Sequence, residues 1–532
     1  MKIFSFLPSA LRGRLSAIVF LPFKKQCQTA DGLFVVNENT HVLKGNSVKA
    51  KLAVAFLLFL GLGALSLFAL YPAPQNIGAN SLEASFRVKI PPTESAHHTF
   101  RAAITGNGDF LPVLRVAAPP KARLASLLSP FGEGLDRDLL ERFAADYGFT
   151  LQYREVDSYA EASAMLKQNE VDLAAGFPGS INFTLSPDLL SSPAYQQDSP
   201  VLLRLKGKNA KTKNQLLVSE PGLKEAVDNT SALPDSPALS KDITTLVDRL
   251  DDGASGYALL DNTSFKMLSP LFLRENTSSR KLKGTAFHHW VWRNDDSLLA
   301  LSLQAFWRDE GTNRYLADLT ENYNGFLPKN LNSAKTKALI RGLENELTLY
   351  HKDIADAARE YNLDPLLLTA VMFQESRFKN DTSGNTGKGL MQLTSNTAAS
   401  LGVDPADPRS NIKGGAKYLR QIFNSLPKED IGYWDKWFLT LAAYNQGPRH
   451  LSDAMRLAAE MNEGSRSWRA VKDAYVLNGK NGSVRGEHVV KYVQEIRYYY
   501  YVLNGLVVLN RPEAQHLTPL LARSGSSVRR GS

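Results

Sequence analysis

The spacing of apolar residues divides this chain into stretches of different character. Leu52 to Tyr71 reads LAVAFLLFLGLGALSLFALY, twenty residues without a charge, which matches the hydrocarbon core of a bilayer crossed by a helix. Residues 72–110 are rich in Pro, Ser, Ala and Asn, show no periodicity, and read as a linker. From Leu111 the texture changes. LPVLRVAAP (111–119) is a short apolar run with a proline stop, the pattern of a buried strand. LDRDLLERFAADYGF (135–149) places Leu135, Leu139, Leu140, Phe143 and Tyr147 at helical spacing, and TLQYREV (150–156) alternates like a strand. YAEASAMLKQNEVDLAAGF (159–177) and LVDRLDDGASGYALLDNTSFKML (246–268) each read helix, turn, strand; HHWVWRNDDSLLALSLQAFWRDEG (288–311) reads strand, then helix. Strands alternating with helices predict an α/β domain with a largely parallel sheet. From about Lys337 the pattern becomes helical, with apolar faces along ELTLYHKDIADAAREYN (346–362), LLLTAVMFQESRF (366–378) and NIKGGAKYLRQIFNSL (411–426).

A chain of 532 residues exceeds one hydrophobic core and predicts two or three domains. Residues 1–51 carry eight Lys or Arg against Asp31 and Glu38, so the positive-inside rule places them in the cytoplasm and everything after Tyr71 outside the inner membrane. Two readings of 52–71 stand. The fifty or so residues before it favour an uncleaved inner-membrane anchor; a signal peptide, with outer-membrane association after cleavage, is the alternative. Both export the rest. The net charge of +9 suits an anionic membrane surface or wall polymer, and no zinc-finger or RNA-recognition pattern points to nucleic acid. A single cysteine, Cys27, excludes an internal disulfide and a multi-cysteine metal site. The pairs His97–His98 and His288–His289 lack ligand spacing, so neither metal nor cofactor is expected. The terminal stretch 507–532, ending SGSSVRRGS, is expected to be disordered.

Asp364 can cap a helix whose first residue is Pro365. Glu375 then falls near its end, with Val371 and Met372 one turn back and Phe378 one turn on, neighbours that desolvate a carboxyl and raise its pKa. Taken alone, that position also fits an ordinary surface glutamate at a helix end. The ordered set that surrounds it narrows the choice: QES around Glu375, GLMQ (389–392), GGAKYL (414–419) and AYNQG (443–447). This set closely resembles the soluble lytic transglycosylase domain, whose fold is like that of goose-type lysozyme, over about 340–505. The resemblance implies that Glu375 is the catalytic acid/base and that Ser376, Met391, Gln392, Tyr444 and Asn445 line a glycan groove. It implies a place near the active site for Tyr492 of HVVKYVQEI (488–496). The loop NDTSGNTG (380–387) is more polar than the family's usual Pro- and Ala-containing version.

Upstream, LRVAAP, GLDRDLLERFAADYGFTLQY, NEVDLAAGF and SPAY (192–195) occur in the order seen in type-3 periplasmic solute-binding proteins, a resemblance over roughly 111–325. It implies a two-lobed clamp around a small ligand. The Arg that often pairs with a ligand carboxylate in that family is absent from GFPGSINFTLSPDL (176–189), which argues against binding of a free amino acid.

The predicted architecture is therefore multidomain, α/β plus α. A basic cytoplasmic segment (1–51), a transmembrane helix (52–71) and a linker (72–110) precede a two-lobed periplasmic-binding-protein-like α/β domain (111–325). A mainly α lysozyme-like domain (336–506) and a disordered tail (507–532) follow. The implied activity is cleavage of the MurNAc–GlcNAc bond in peptidoglycan glycan strands with formation of a 1,6-anhydro-MurNAc end. One carboxylate suffices for it, because the muramyl C6 hydroxyl supplies the nucleophile that a hydrolase takes from water. The domain pairing suggests that the 111–325 clamp senses muropeptides. The rival readings are a lysozyme-type hydrolase and an inactive wall-binding or muropeptide-sensing protein.

Overall fold

The computed structural model describes residues 27–29, 32–34 and 111–524, apart from short segments at 180–184, 206–215, 221, 228–232, 234–236, 252–255, 272–276, 296, 329–332, 381–386, 428–430, 462–465 and 481–484. The expected span at 52–71, the linker at 72–110 and nearly all of the basic segment lie outside the described residues. Among the described residues no helix is long and apolar enough to cross a membrane. The chain forms two compact units, 1–90 and 91–532. In the first, Cys27–Thr29 pairs antiparallel with Gly32–Phe34.

In the second unit, the α/β part holds two five-stranded sheets. One runs in the order Thr150–Glu155, Val113–Ala118, Leu173–Ala174, Val291–Arg293, Leu189–Ser191; the other in the order Pro237–Leu239, Leu216–Val218, Tyr257–Asp261, Pro200–Leu205, Thr277–Lys281. The chain passes between these lobes twice. Gln196–Asp198 and Ala286–His288 pair antiparallel where it does so, in a small sheet with Pro178–Gly179. The expectation of a largely parallel sheet holds for half of each lobe only. Val113–Ala118 is parallel to both its neighbours, but Val291–Arg293 runs against Leu173–Ala174 and Leu189–Ser191. In the second lobe Pro200–Leu205 runs against both its neighbours. The strands that follow the two crossings, Pro200–Leu205 into the second lobe and Val291–Arg293 back into the first, are the reversed ones. The helix expected within 288–311 is Leu298–Arg308, and a second, Glu310–Asn324, follows it directly, capped by the Asp309 carboxylate, which accepts from Thr312 N at 2.7 Å.

The helical part packs around Pro365–Ser376, whose sequence is apolar all round and which is buried along almost its whole length. Asp364 caps it, accepting from Leu366 N and Leu367 N, with Pro365 in the first turn. The long helix Arg485–Val508 lies against it. The run Tyr498–Tyr501 is buried and ties its helix to three others. Tyr498 bonds Thr336, Tyr499 accepts from Arg377, Tyr500 donates to Asp364, and Tyr501 donates to Met267 O at 2.7 Å in the α/β part.

Both parts share one core. Phe131, from a loop of the α/β part, sits edge-on to Phe326, Trp434, Phe438 and Tyr500, with ring centroids 5.1–5.8 Å apart. The helix Glu310–Asn324 is the joint. Its Glu321 pairs with Lys472 at 2.6 Å and with the wholly buried Arg497 at 3.0 Å. Asp318 of the same helix pairs with Arg469. The chain end corrects the expectation of a disordered tail as far as residue 524. Pro512–His516 forms a 3-10 turn and Thr518–Ser524 a helix that packs on His351–Glu360, with Leu517 and Leu520 buried. Burial of these two leucines stabilises the segment on the core.

Candidate active site

Glu375 sits on the last turn of Pro365–Ser376, and the next two residues, Arg377 and Phe378, both adopt left-handed backbone conformations, φ 57° and 65°. Two such non-glycine residues in succession are costly and persist only where surrounding contacts hold them. Here Arg377 donates to Tyr499 Oη at 3.0 Å and lies 4.4 Å from the centre of the Phe373 ring, while the Phe378 side chain is buried in the core. The turn ends the helix abruptly and leaves Glu375 half-buried at its rim.

The carboxyl of Glu375 is pushed up to about 7 by burial, and the hydrogen bond donated by Tyr492 Oη to Oε1 pulls the other way. No neighbouring charge among the described residues adds to this shift. Desolvation therefore sets it; Val371 and Met372, one turn back, are buried, whereas Phe378 does not lie one turn on as expected, because the helix ends at Ser376 and the chain turns left-handed at Arg377 and Phe378. Tyr492 and Tyr444 are both held well above the ordinary phenol value, by burial first and then by the Glu375 charge, so each stays a neutral hydroxyl.

The GLMQ segment is a tight turn. The short strands Gly387–Lys388 and Leu393–Thr394 pair antiparallel around it. Gly389 (φ 74°) and Gln392 (φ 49°) turn the chain, and Gln392 Nε2 donates back to Gly389 O at 2.8 Å. Asn411, wholly buried on the helix Pro408–Ser425, pins the turn: its Oδ1 accepts from Met391 N at 2.7 Å, and its Nδ2 donates to Lys388 O and Pro405 O. Tyr444 Oη donates to Met391 O at 2.8 Å, which joins the AYN segment to the GLMQ turn.

Glu375, Tyr492, Tyr444 and the Met391–Gln392 backbone are thus brought together, and Asn445 is half-buried beside Tyr444 at the end of Tyr433–Gln446. Two expected groove residues point elsewhere. The Met391 side chain is buried against Gly415, where a methyl group would lie 2.6 Å from its Cε, so Met391 presents only its backbone. Ser376 is buried and its hydroxyl donates to Met372 O within its own helix. Asp381, the nearest other acid in sequence, lies outside the described residues. Sequence reasoning missed Asn411, the first residue of NIKGGAKYL; a buried asparagine ahead of a Gly-Gly pair was its only signal. Among the described residues no group of His, Cys, Asp and Glu has the arrangement of a metal site.

A half-buried carboxyl near neutral pKa, flanked by two neutral tyrosines and a pinned turn in a helical domain, defines a class that the comparisons support independently. The family model for the transglycosylase SLT domain matches residues 353–465. The membrane-bound lytic murein transglycosylase F of Shewanella woodyi is 31% identical over 393 residues, covering 69% of this chain and 80% of that protein. That of Marinobacter nauticus is 29% identical over 419 residues, covering 74% and 82%. Among solved structures, the periplasmic VFT2 domain of Bordetella pertussis BvgS aligns with 15% identity and a TM-score of 0.31, covering 43% of this chain and 97% of that one. The chain is a peptidoglycan lytic transglycosylase. It belongs to the family of membrane-bound lytic murein transglycosylase F.

Proposed function

We propose that Glu375 is the single acid/base of a cleavage that leaves a 1,6-anhydro-MurNAc end. The observation that carries this reading is the carboxyl itself, raised to about 7 by desolvation with no partner carboxylate among the described residues. Such a group is protonated often enough near neutral pH to act as an acid and basic enough afterwards to take the proton back. Glu375 gives its proton to the oxygen linking MurNAc C1 to GlcNAc, and the C1–O bond breaks. Positive charge develops at C1, where the nearby Glu375 carboxylate stabilises it. The C6 hydroxyl of the same muramyl residue closes on C1, and its proton returns to Glu375. Atoms and charges balance, and no water is consumed. Tyr492 steadies the carboxylate form. Tyr444, Asn445, Gln392 and the Met391 backbone position the N-acetyl and carbonyl groups of the strand.

The anchor at 52–71 would hold this domain at the inner membrane, facing the wall. The α/β clamp would sense muropeptides released from it, a reading supported by its two lobes and by the core it shares with the catalytic part.

The test is mass spectrometry of purified peptidoglycan digested by the full-length protein, wild type beside Glu375→Gln. Anhydro-muropeptides from the wild type and none from the variant are expected. Reducing-end products would replace this reading with hydrolysis; equal products from both would remove Glu375 from the chemistry.

A further inference from the structure

The space between the two lobes collects polar atoms that have no partners. Glu220, buried at the end of the strand Leu216–Val218, lines this cleft, and neither of its carboxylate oxygens has a hydrogen-bond partner. Nε of the buried Arg123 and Nδ1 of His288, both also lining the cleft, are likewise unpartnered. Orphaned buried groups are costly, of order 1–3 kcal/mol each and more when charged, and a fold keeps them where something else satisfies them. Their neighbours are accounted for. The Arg123 guanidinium donates to Asp157; Asp136 accepts from Tyr195; Asp261 caps the helix after it by accepting from Ser264 N. Glu220 is left over. The backbone is also close-set here, since a methyl group on Gly222 would fall 2.0 Å from Pro178 O across the lobes.

We propose that the cleft of the α/β domain is a binding site for a small ligand bearing a primary ammonium group, which docks on the Glu220 carboxylate. The Arg123 guanidinium, which also lines the cleft, is already committed to Asp157. A cation entering such a site gains a charge-assisted bond to an acceptor that has none.

Burial pushes the Glu220 carboxyl up to about 8; Arg123 opposes this, while Asp261 and Asp157 reinforce it. In the empty cleft at pH 7 the group is therefore protonated. An ammonium favours its ionised form, so binding at pH 7 releases a proton and weakens up to tenfold for each unit the pH falls below 8. His288, held neutral by burial, adds no positive charge there.

This site rests on the reading of the clamp as a ligand-binding domain, and it is independent of the glycan groove. The test is isothermal titration calorimetry of the full-length protein with cadaverine and agmatine, and with 1,5-pentanediol as a neutral analogue of the same length. Saturable binding of a cation is expected, with none by the diol, at least a tenfold loss in Glu220→Gln, and proton release seen as a dependence of the heat on buffer ionisation enthalpy. Absence of binding by both cations, equal binding by the diol, or unchanged affinity in a folded Glu220→Gln overturns the site. The dependence on pH and on ligand charge is measured on the wild type, so a variant that fails to fold does not rescue the idea. Muropeptides with their free amine intact or acetylated separate the two readings. Equal binding of both forms keeps muropeptide sensing and removes the ammonium site. Loss on acetylation supports both.

Discussion

Removing one hydroxyl, Tyr492→Phe, separates the electrostatic role of this residue from a packing role. Tyr492 is buried and donates to Glu375 Oε1. Its own pKa lies well above 10, so it remains a donor throughout any practical assay range. The bond is to the ionised form of the acid/base and contributes about 1.5–3 kcal/mol. At ~1.4 kcal/mol per pKa unit, its loss raises Glu375 by roughly one to two units above its value near 7. The sign follows: with the carboxylate less stabilised, the protonated acid persists to higher pH. The alkaline limb of the rate profile therefore moves up by the same one to two units, to roughly pH 8–9. The optimum falls as well, by about 10- to 100-fold, because the carboxylate formed on proton donation has lost its donor. The assay is the initial rate of anhydro-muropeptide release from pH 5 to 10, wild type against variant. A uniform loss at every pH, with the limb unmoved, would refute the electrostatic role and leave Tyr492 as packing.

Glu375→Gln should stabilise the fold at pH 8 while abolishing product. A carboxyl whose folded pKa is raised loses stability as pH rises from about 4.5 to about 7, and the neutral amide does not. The gain is on the order of 2 kcal/mol once partial solvent exposure is allowed for, read as a higher denaturation midpoint at pH 8 that vanishes at pH 4. Asn411→Ala leaves Met391 N, Lys388 O and Pro405 O without their partner; urea denaturation should show a loss of about 2–4 kcal/mol, with activity falling further as the GLMQ turn loosens. Glu321→Ala strands the buried Arg497 and should cost about 3–5 kcal/mol. Glu321→Gln, which keeps a hydrogen-bond acceptor for it, should cost visibly less.

The primary structure by itself determined whatever depends on near neighbours. The start of the Glu375 helix is written in Asp364-Pro365, since a cap and a first-turn proline act within one turn. Val371 and Met372, one turn back on the same helix, give Glu375 apolar neighbours. The ordered motifs QES, GLMQ, GGAKYL and AYNQG carry the resemblance that implies the reaction class, and each is a short segment within one turn or helix. Only the tertiary structure decided which remote faces meet. Tyr492 reaches Glu375 across 117 positions, and nothing within either helix sets the relative rotation that aligns them. Met391 and Ser376 turned inward for the same reason: position in a motif places the backbone, and packing against Gly415 or the helix's own carbonyl places the side chain. The folded end at 512–524 depends on the surface that His351–Glu360 offers to the helix Thr518–Ser524. The gathering of Arg123, Glu220 and His288 around one cleft joins segments far apart in sequence. Helical period, capping and burial pattern are local quantities; register between distant elements is set by the whole core at once.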